Sequence, residues 1–144
     1  MWRNYMILAN SPDCVTHDEF LNVMLGKQYR DRCCHVEAVD CWGLVVLYHR
    51  MVMGVNIHHS EDYSLGGDFS TCFDDEVIFW ADTDSPKIGD VIVAYRGSAP
   101  VHVGLYWYHD KMLHARDGSA VRFDRIKTLE RLSTKLRFLT YANN

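Results

Sequence analysis

Cys41, His102 and His114 are the side chains in this sequence whose types and spacing could do nucleophilic chemistry together. A thiol attacks as the thiolate, so it needs a base to take its proton, and the base needs a third group to hold its ring and tautomer. Cys41 lies in Val39-Asp40-Cys41-Trp42-Gly43-Leu44-Val45, directly after an Asp able to cap a helix. Leu44, Leu47, Tyr48, Met51, Val52 and Val55 follow at the spacing of one buried helix face. Cys41 falls one turn before Leu44 on that face. The positive end of the helix dipole would favour the thiolate there, so the position predicts a thiol pKa below the ordinary value of about 8.5. Read alone, such a residue is more often a small core Cys. The two histidines downstream shift that balance.

His102, in Val101-His102-Val103-Gly104-Leu105-Tyr106, and His114, in Met112-Leu113-His114-Ala115, fall in two successive predicted strands. A turn at His109-Asp110 would pair those strands antiparallel and bring the imidazoles near one another. Their even separation permits a common face, but facing depends on a register that spacing does not set. Cys33, Cys34, His35 and Cys41 make a poor zinc site, because adjacent cysteines ligate one tetrahedral ion badly and no CxxC or HxxxH spacing is present. His58-His59 reads as solvated surface. Arg116, two residues past His114, is either a surface charge or a contact for a substrate carboxylate.

The elements that must position these groups follow from periodicity and punctuation. A helix is predicted over 13–25, starting at Ser11-Pro12-Asp13 and ended by Gly26. Residues 27–39 read as a polar loop, the Cys41 helix runs to Gly54, and a short helix is expected over 73–80. From Pro86 the period changes to that of strands, at 90–95, 101–108, 112–115 and 120–123, then a helix at 125–132 and a strand at 136–141. Helices first and an antiparallel meander second is an α+β layout.

Composition narrows the function. The 144 residues are 48% apolar, enough for a single domain spanning 1–144 with a real core. A net charge of −4 argues against nucleic acid as the main partner. Residues 51–86 hold eight acids and no Lys or Arg, whereas 111–137 hold eight of the fifteen basic residues. Five cysteines without framework spacing, and no apparent secretory signal, indicate reduced thiols in a chain made in the cytosol. His49 and Arg50 interrupt the longest apolar stretch, so no membrane insertion is expected.

Asp40-Cys41-Trp42-Gly43-Leu44-Val45, Pro86-Lys87-Ile88-Gly89-Asp90-Val91-Ile92, His102-Val103-Gly104-Leu105-Tyr106 and Leu113-His114-Ala115 together resemble the NlpC-type cysteine peptidases of bacterial cell walls. The resemblance runs from about residue 21 to 141. It implies a papain-like half-fold, with N-terminal helices on a small antiparallel sheet of about five strands. It also implies hydrolysis of peptidoglycan stem peptides, often between γ-D-glutamate and diaminopimelate, without a cofactor or a metal. Carried over by position, Cys41 would be the nucleophile, His102 the general base and acid, and His114 the residue orienting His102. Gly26-Lys27-Gln28-Tyr29 resembles the short motif upstream of the family's Cys, so Tyr29 would line the site and help to stabilise an oxyanion beside the Cys41 N–H. Tyr29, Trp42 and Arg116 are the candidate substrate contacts. The approach at 30–38 departs from the Gly-rich approach of many members, which leaves the groove entrance open. Trp after the Cys is similar to the branch found in phage tail assemblies. That likeness implies tail-tip or hub proteins as partners and a place in the virion or a tail-like particle, with the acidic segment or the basic C-terminal third as docking surfaces. The alternatives are a structural tail component that keeps the fold without activity, and an amidase or acyltransferase on the same scaffold.

Overall fold

A computed structural model describes residues 14–57 and 79–142. The acidic stretch at 58–78, with His58-His59, Cys72 and most of the helix expected over 73–80, lies outside them, as does the start signal at 11–13.

Helix α1 spans His17–Met24, later than the start signal predicts. Thr16 is the cap: its hydroxyl accepts from the Glu19 N–H at 3.1 Å, while the Glu19 carboxylate accepts from the Thr16 N–H at 2.8 Å. This reciprocal Thr-x-x-Glu box satisfies two otherwise orphaned donors, and it outweighs the upstream signal. Phe20 and Met24 are the buried residues of α1.

The segment expected as a polar loop forms three two-residue strands, β1 (Gln28–Tyr29), β2 (Cys34–His35) and β3 (Ala38–Val39). β3 lies between the other two, parallel to β1 and antiparallel to β2. Strands this short carry no readable period. Their pairing brings Tyr29 opposite Val39, two residues before Cys41.

Helix α2 spans Cys41–Tyr48, continues as a π-helical turn over His49–Met53, and stops at Gly54 in the left-handed conformation. The sequence stripe predicts one buried face, yet all eight residues of α2 are buried. The large sheet covers one side of the helix and the β1–β3 layer another, with α1 packed at the π-helical turn. No helix among the described residues is long and apolar enough to cross a membrane.

The main sheet holds β4 (Trp80–Asp82), β5 (Val91–Arg96), β6 (Ala99–Trp107), β7 (Lys111–Ala115), β8 (Val121–Arg125) and β9 (Lys135–Tyr141). Its order is β4-β9-β5-β6-β7-β8, antiparallel throughout. Six strands replace the five expected, because the end of the segment expected as a helix pairs with β9 as β4. A third helix, α3 (Ile126–Leu132), packs on the other face of the sheet, where Ile126 and Leu129 meet Ile92 and Met112. The main core lies on the α2 face and contains Trp42, Leu44, Leu47, Val103, Leu105, Trp107 and Leu113.

Candidate active site

Asp40 builds the start of α2. One carboxylate oxygen accepts from the Gly43 N–H at 2.7 Å and the other from the Arg32 N–H at 2.9 Å. Gly43 is required here, because a Cβ at that position would run into the Cys33 carbonyl oxygen. Asp40 is 1% exposed, and burial pushes its carboxyl up to about 7 despite the two N–H donors.

Cys41 opens the helix as expected, but its thiol is shifted the other way. Burial first, and then the adjacent Asp40 charge, push it up to about 12. The N–H groups of Val103, Trp42 and Cys41 itself act against that rise without cancelling it. The dipole argument is overturned because it omits desolvation and the charge of the cap that starts the helix. Val103 belongs to β6, one of the strands against which α2 packs.

The register settles how the histidines meet. Leu105 pairs with Leu113, which sets His102 and His114 diagonally on one face of the sheet, with Gly104 beside His114. A Cβ at Gly104 would sit 2.8 Å from the His114 Cβ and 2.9 Å from the Leu113 carbonyl oxygen, so only glycine allows this approach. His102 Nε2 and His114 Nδ1 are 2.7 Å apart. His114 is fully buried, and its Nε2 lies 2.7 Å from Asp124 Oδ2. The other Asp124 oxygen accepts from Arg122 at 3.0 Å. Burial, His114 and Arg116 lower His102 to about 3, against an opposing pull from Asp124. Burial also lowers His114. For Asp124, burial acts upward, but His114 and Arg122 outweigh it and hold the carboxyl below its ordinary value.

Asp124 escaped the sequence reading. Its signal is parity: it stands ten residues past His114 across a second turn, so a three-strand meander can return it to the same face. Tyr29 is brought to the site, and its phenol is raised by burial and then by the Cys41 sulfur and Asp40. Arg116 joins His102, Arg96, Val101 and Leu132 around a hollow of about 510 Å³. Trp42 does not reach the surface. At 1% exposure it packs in the core, which overturns the expectation that it touches substrate. Its face of the helix is closed by the surrounding layers. A hollow of about 590 Å³ near the far end of α2, around His49, Lys87 and Tyr141, contains none of these residues. Among the described residues no group of three or more His, Cys, Asp or Glu side chains is placed to hold a metal ion.

A thiol at the start of a helix that packs on an antiparallel sheet carrying two joined imidazoles belongs to an α+β protein. More narrowly, the chain belongs to the NlpC/P60 family, whose sequence pattern matches residues 26–136. Solved structures with the same fold include the NlpC/p60 domain of the peptidoglycan hydrolase SagA, with 14% identity and a TM-score of 0.58 over 85% of this chain and 92% of that one. An NlpC/P60 family protein from Bacillus cereus ATCC 10987 is 19% identical, with a TM-score of 0.63 over 92% of this chain. NlpC1 from Trichomonas vaginalis is 18% identical, with a TM-score of 0.59 over 86% of this chain. The match covers only 42% of each of these last two chains. At such identities the likeness is one of fold. No curated protein matches the chain.

Proposed function

We propose that this protein is a cysteine peptidase that hydrolyses peptidoglycan stem peptides, at the bond between γ-D-glutamate and diaminopimelate. The observation that carries the reading is the pair of imidazoles on one sheet face, His102 Nε2 to His114 Nδ1 at 2.7 Å, on the sheet against which the helix opened by Cys41 packs. Family membership and the fold shared with a peptidoglycan hydrolase domain support the substrate class.

In this reading the Cys41 sulfur attacks the scissile carbonyl while its proton passes to His102. The oxyanion is met by the Cys41 N–H and the Tyr29 hydroxyl. His102 then gives the proton to the leaving amine as the C–N bond breaks, which leaves a thioester on Cys41. Water, deprotonated by His102, attacks the thioester and releases the acid. The raised thiol and the lowered imidazole make the resting pair neutral, so proton transfer accompanies attack instead of preceding it. Arg116, at the rim of the hollow beside His102, would meet a carboxylate of the acidic stem.

The motif with Trp42 after the thiol supports a place at the tip of a phage tail or tail-like particle, against hub proteins. A digest of purified sacculi read by mass spectrometry tests the activity. Cleavage should expose a new amine on diaminopimelate. Cys41→Ala and His102→Ala should abolish it, and His114→Asn should keep part of the rate. Intact stem peptides after incubation with the folded wild type would overturn the peptidase reading.

A further inference from the structure

Among the described residues, Asp124 is the ionisable side chain that hydrogen-bonds His114 at the nitrogen away from His102. We propose that Asp124 is a positioning residue, whose carboxylate decides which nitrogen of His114, and through it which nitrogen of His102, carries the proton. The inference rests on the reading that His102 is the base of the site.

The argument runs along one line of hydrogen bonds across β8, β7 and β6. An ionised carboxylate can only accept, so the 2.7 Å contact requires the proton of His114 to sit on Nε2. Burial keeps His114 neutral, with Arg116 and Arg122 adding to that push and Asp124 opposing it. Its Nδ1 is then a lone pair. At 2.7 Å that lone pair needs a donor, and the donor is the Nε2–H of His102. His102, neutral for the same reason, is left with a bare Nδ1. Among the described residues no hydrogen bond engages that nitrogen, so it is the atom free to take a proton from a thiol. Arg122, on the second oxygen of Asp124, favours the ionised carboxylate. A protonated or amide side chain at 124 would remove the constraint. The O–H of the acid, or the N–H of the amide, would let His114 accept at Nε2 and donate from Nδ1, and that flip would place the proton of His102 on Nδ1.

An ion pair that only ties β7 to β8 would not move tautomers, so nitrogen NMR separates the two roles. In the uniformly 15N-labelled full chain without substrate, both imidazoles should show a protonated Nε2 and an unprotonated Nδ1. Asp124→Asn should move His114, and His102 with it, to the Nδ1-protonated form. In turnover the same variant should lose at least about tenfold in kcat with KM nearly unchanged; a wrong-tautomer imidazole in the serine triad costs about 10⁴. A wild-type His114 protonated on Nδ1 would overturn the proposal, as would an Asp124→Asn protein with both tautomers unchanged. If Asp124→Asn does not fold, the wild-type spectrum decides alone. The spectra need no substrate, so a failure of the stem-peptide reading leaves this test standing and is told apart from it.

Discussion

Gly104→Ala is the substitution through which the geometry of the site can be pressed hardest. The added methyl meets three neighbours: the Met112 Cε, the His114 Cβ at 2.8 Å and the Leu113 carbonyl oxygen at 2.9 Å. The methionine tip can swing aside. The other two belong to β7, so the strand itself has to give. Ordinary contact begins at 3.4 Å, which asks the His114 Cβ to retreat by about 0.6 Å and the carbonyl by about 0.5 Å. Overpacking of this kind costs about 1–3 kcal/mol. For a chain of 144 residues that corresponds to a fall in Tm of about 3–12 °C. The larger effect is on chemistry. A 0.6 Å retreat of His114 stretches the 2.7 Å contact to His102 toward about 3.3 Å, past the usual range of a good N–H···N bond. Gly104→Ala should therefore fold, melt early, and cleave stem peptides at least about tenfold more slowly, with kcat carrying the loss. Thermal denaturation and steady-state kinetics on the same preparation measure both. Wild-type kcat together with wild-type Tm would refute the steric argument and the diagonal register behind it.

His49 gives a pH dependence of stability. It is 1% exposed, its Nδ1–H donates to the Val45 carbonyl at 2.8 Å, and burial lowers it to about 4. The unfolded chain protonates it near 6.5. Its contribution is therefore complete above about pH 6.5 and is lost as the pH falls toward 4, at up to about 1.4 kcal/mol per unit. Asp40, raised to about 7, runs the opposite way over the same window but is common to both proteins in the comparison. Urea unfolding of wild type and His49→Gln should thus differ in slope between pH 6.5 and 4.5, and equal slopes would sink the assignment. For Cys41, the raised thiol leaves on the order of 10³-fold less thiolate at pH 8 than an unperturbed cysteine has. Its alkylation by iodoacetamide, followed by peptide mass spectrometry, should keep accelerating beyond pH 9. A plateau below pH 8 would show that the thiolate is already formed at rest.

What could be read in advance divides by how local its cause is. Asp40 before Cys41 is a capping signal that acts within one turn, and the helix does start there. The strands from β5 to β9 carry enough residues for their period to show, and each lies within about two residues of its predicted position. β1, β2, β3 and β4 hold two or three residues each and exist only through their partners, so nothing in their own residues announces them. The pairing of His102 with His114 was open until the Leu105–Leu113 register closed it, and Asp124 depends on a second register as well. The sign of the Cys41 shift failed because it turns on what covers the thiol. Coverage comes from distant segments. Trp42 misled for the same reason, since a large aromatic beside a reactive thiol looks like a lining residue until its surroundings are known.

The complete enclosure of α2 constrains how such a protein can diversify. A helix with no wet side offers no position where a substitution is cheap, so every inherited change along Cys41–Tyr48 is weighed against the core at once. The thiol is thereby attached to the part of the molecule where substitution costs most. Under the proposed activity, variation in substrate would enter from parts with solvent on one side: the 30–37 approach, the Arg116–Ser119 turn and the outer face of α3. Lineages that keep one reaction while changing substrate would be expected to differ at those rims and to agree along the helix.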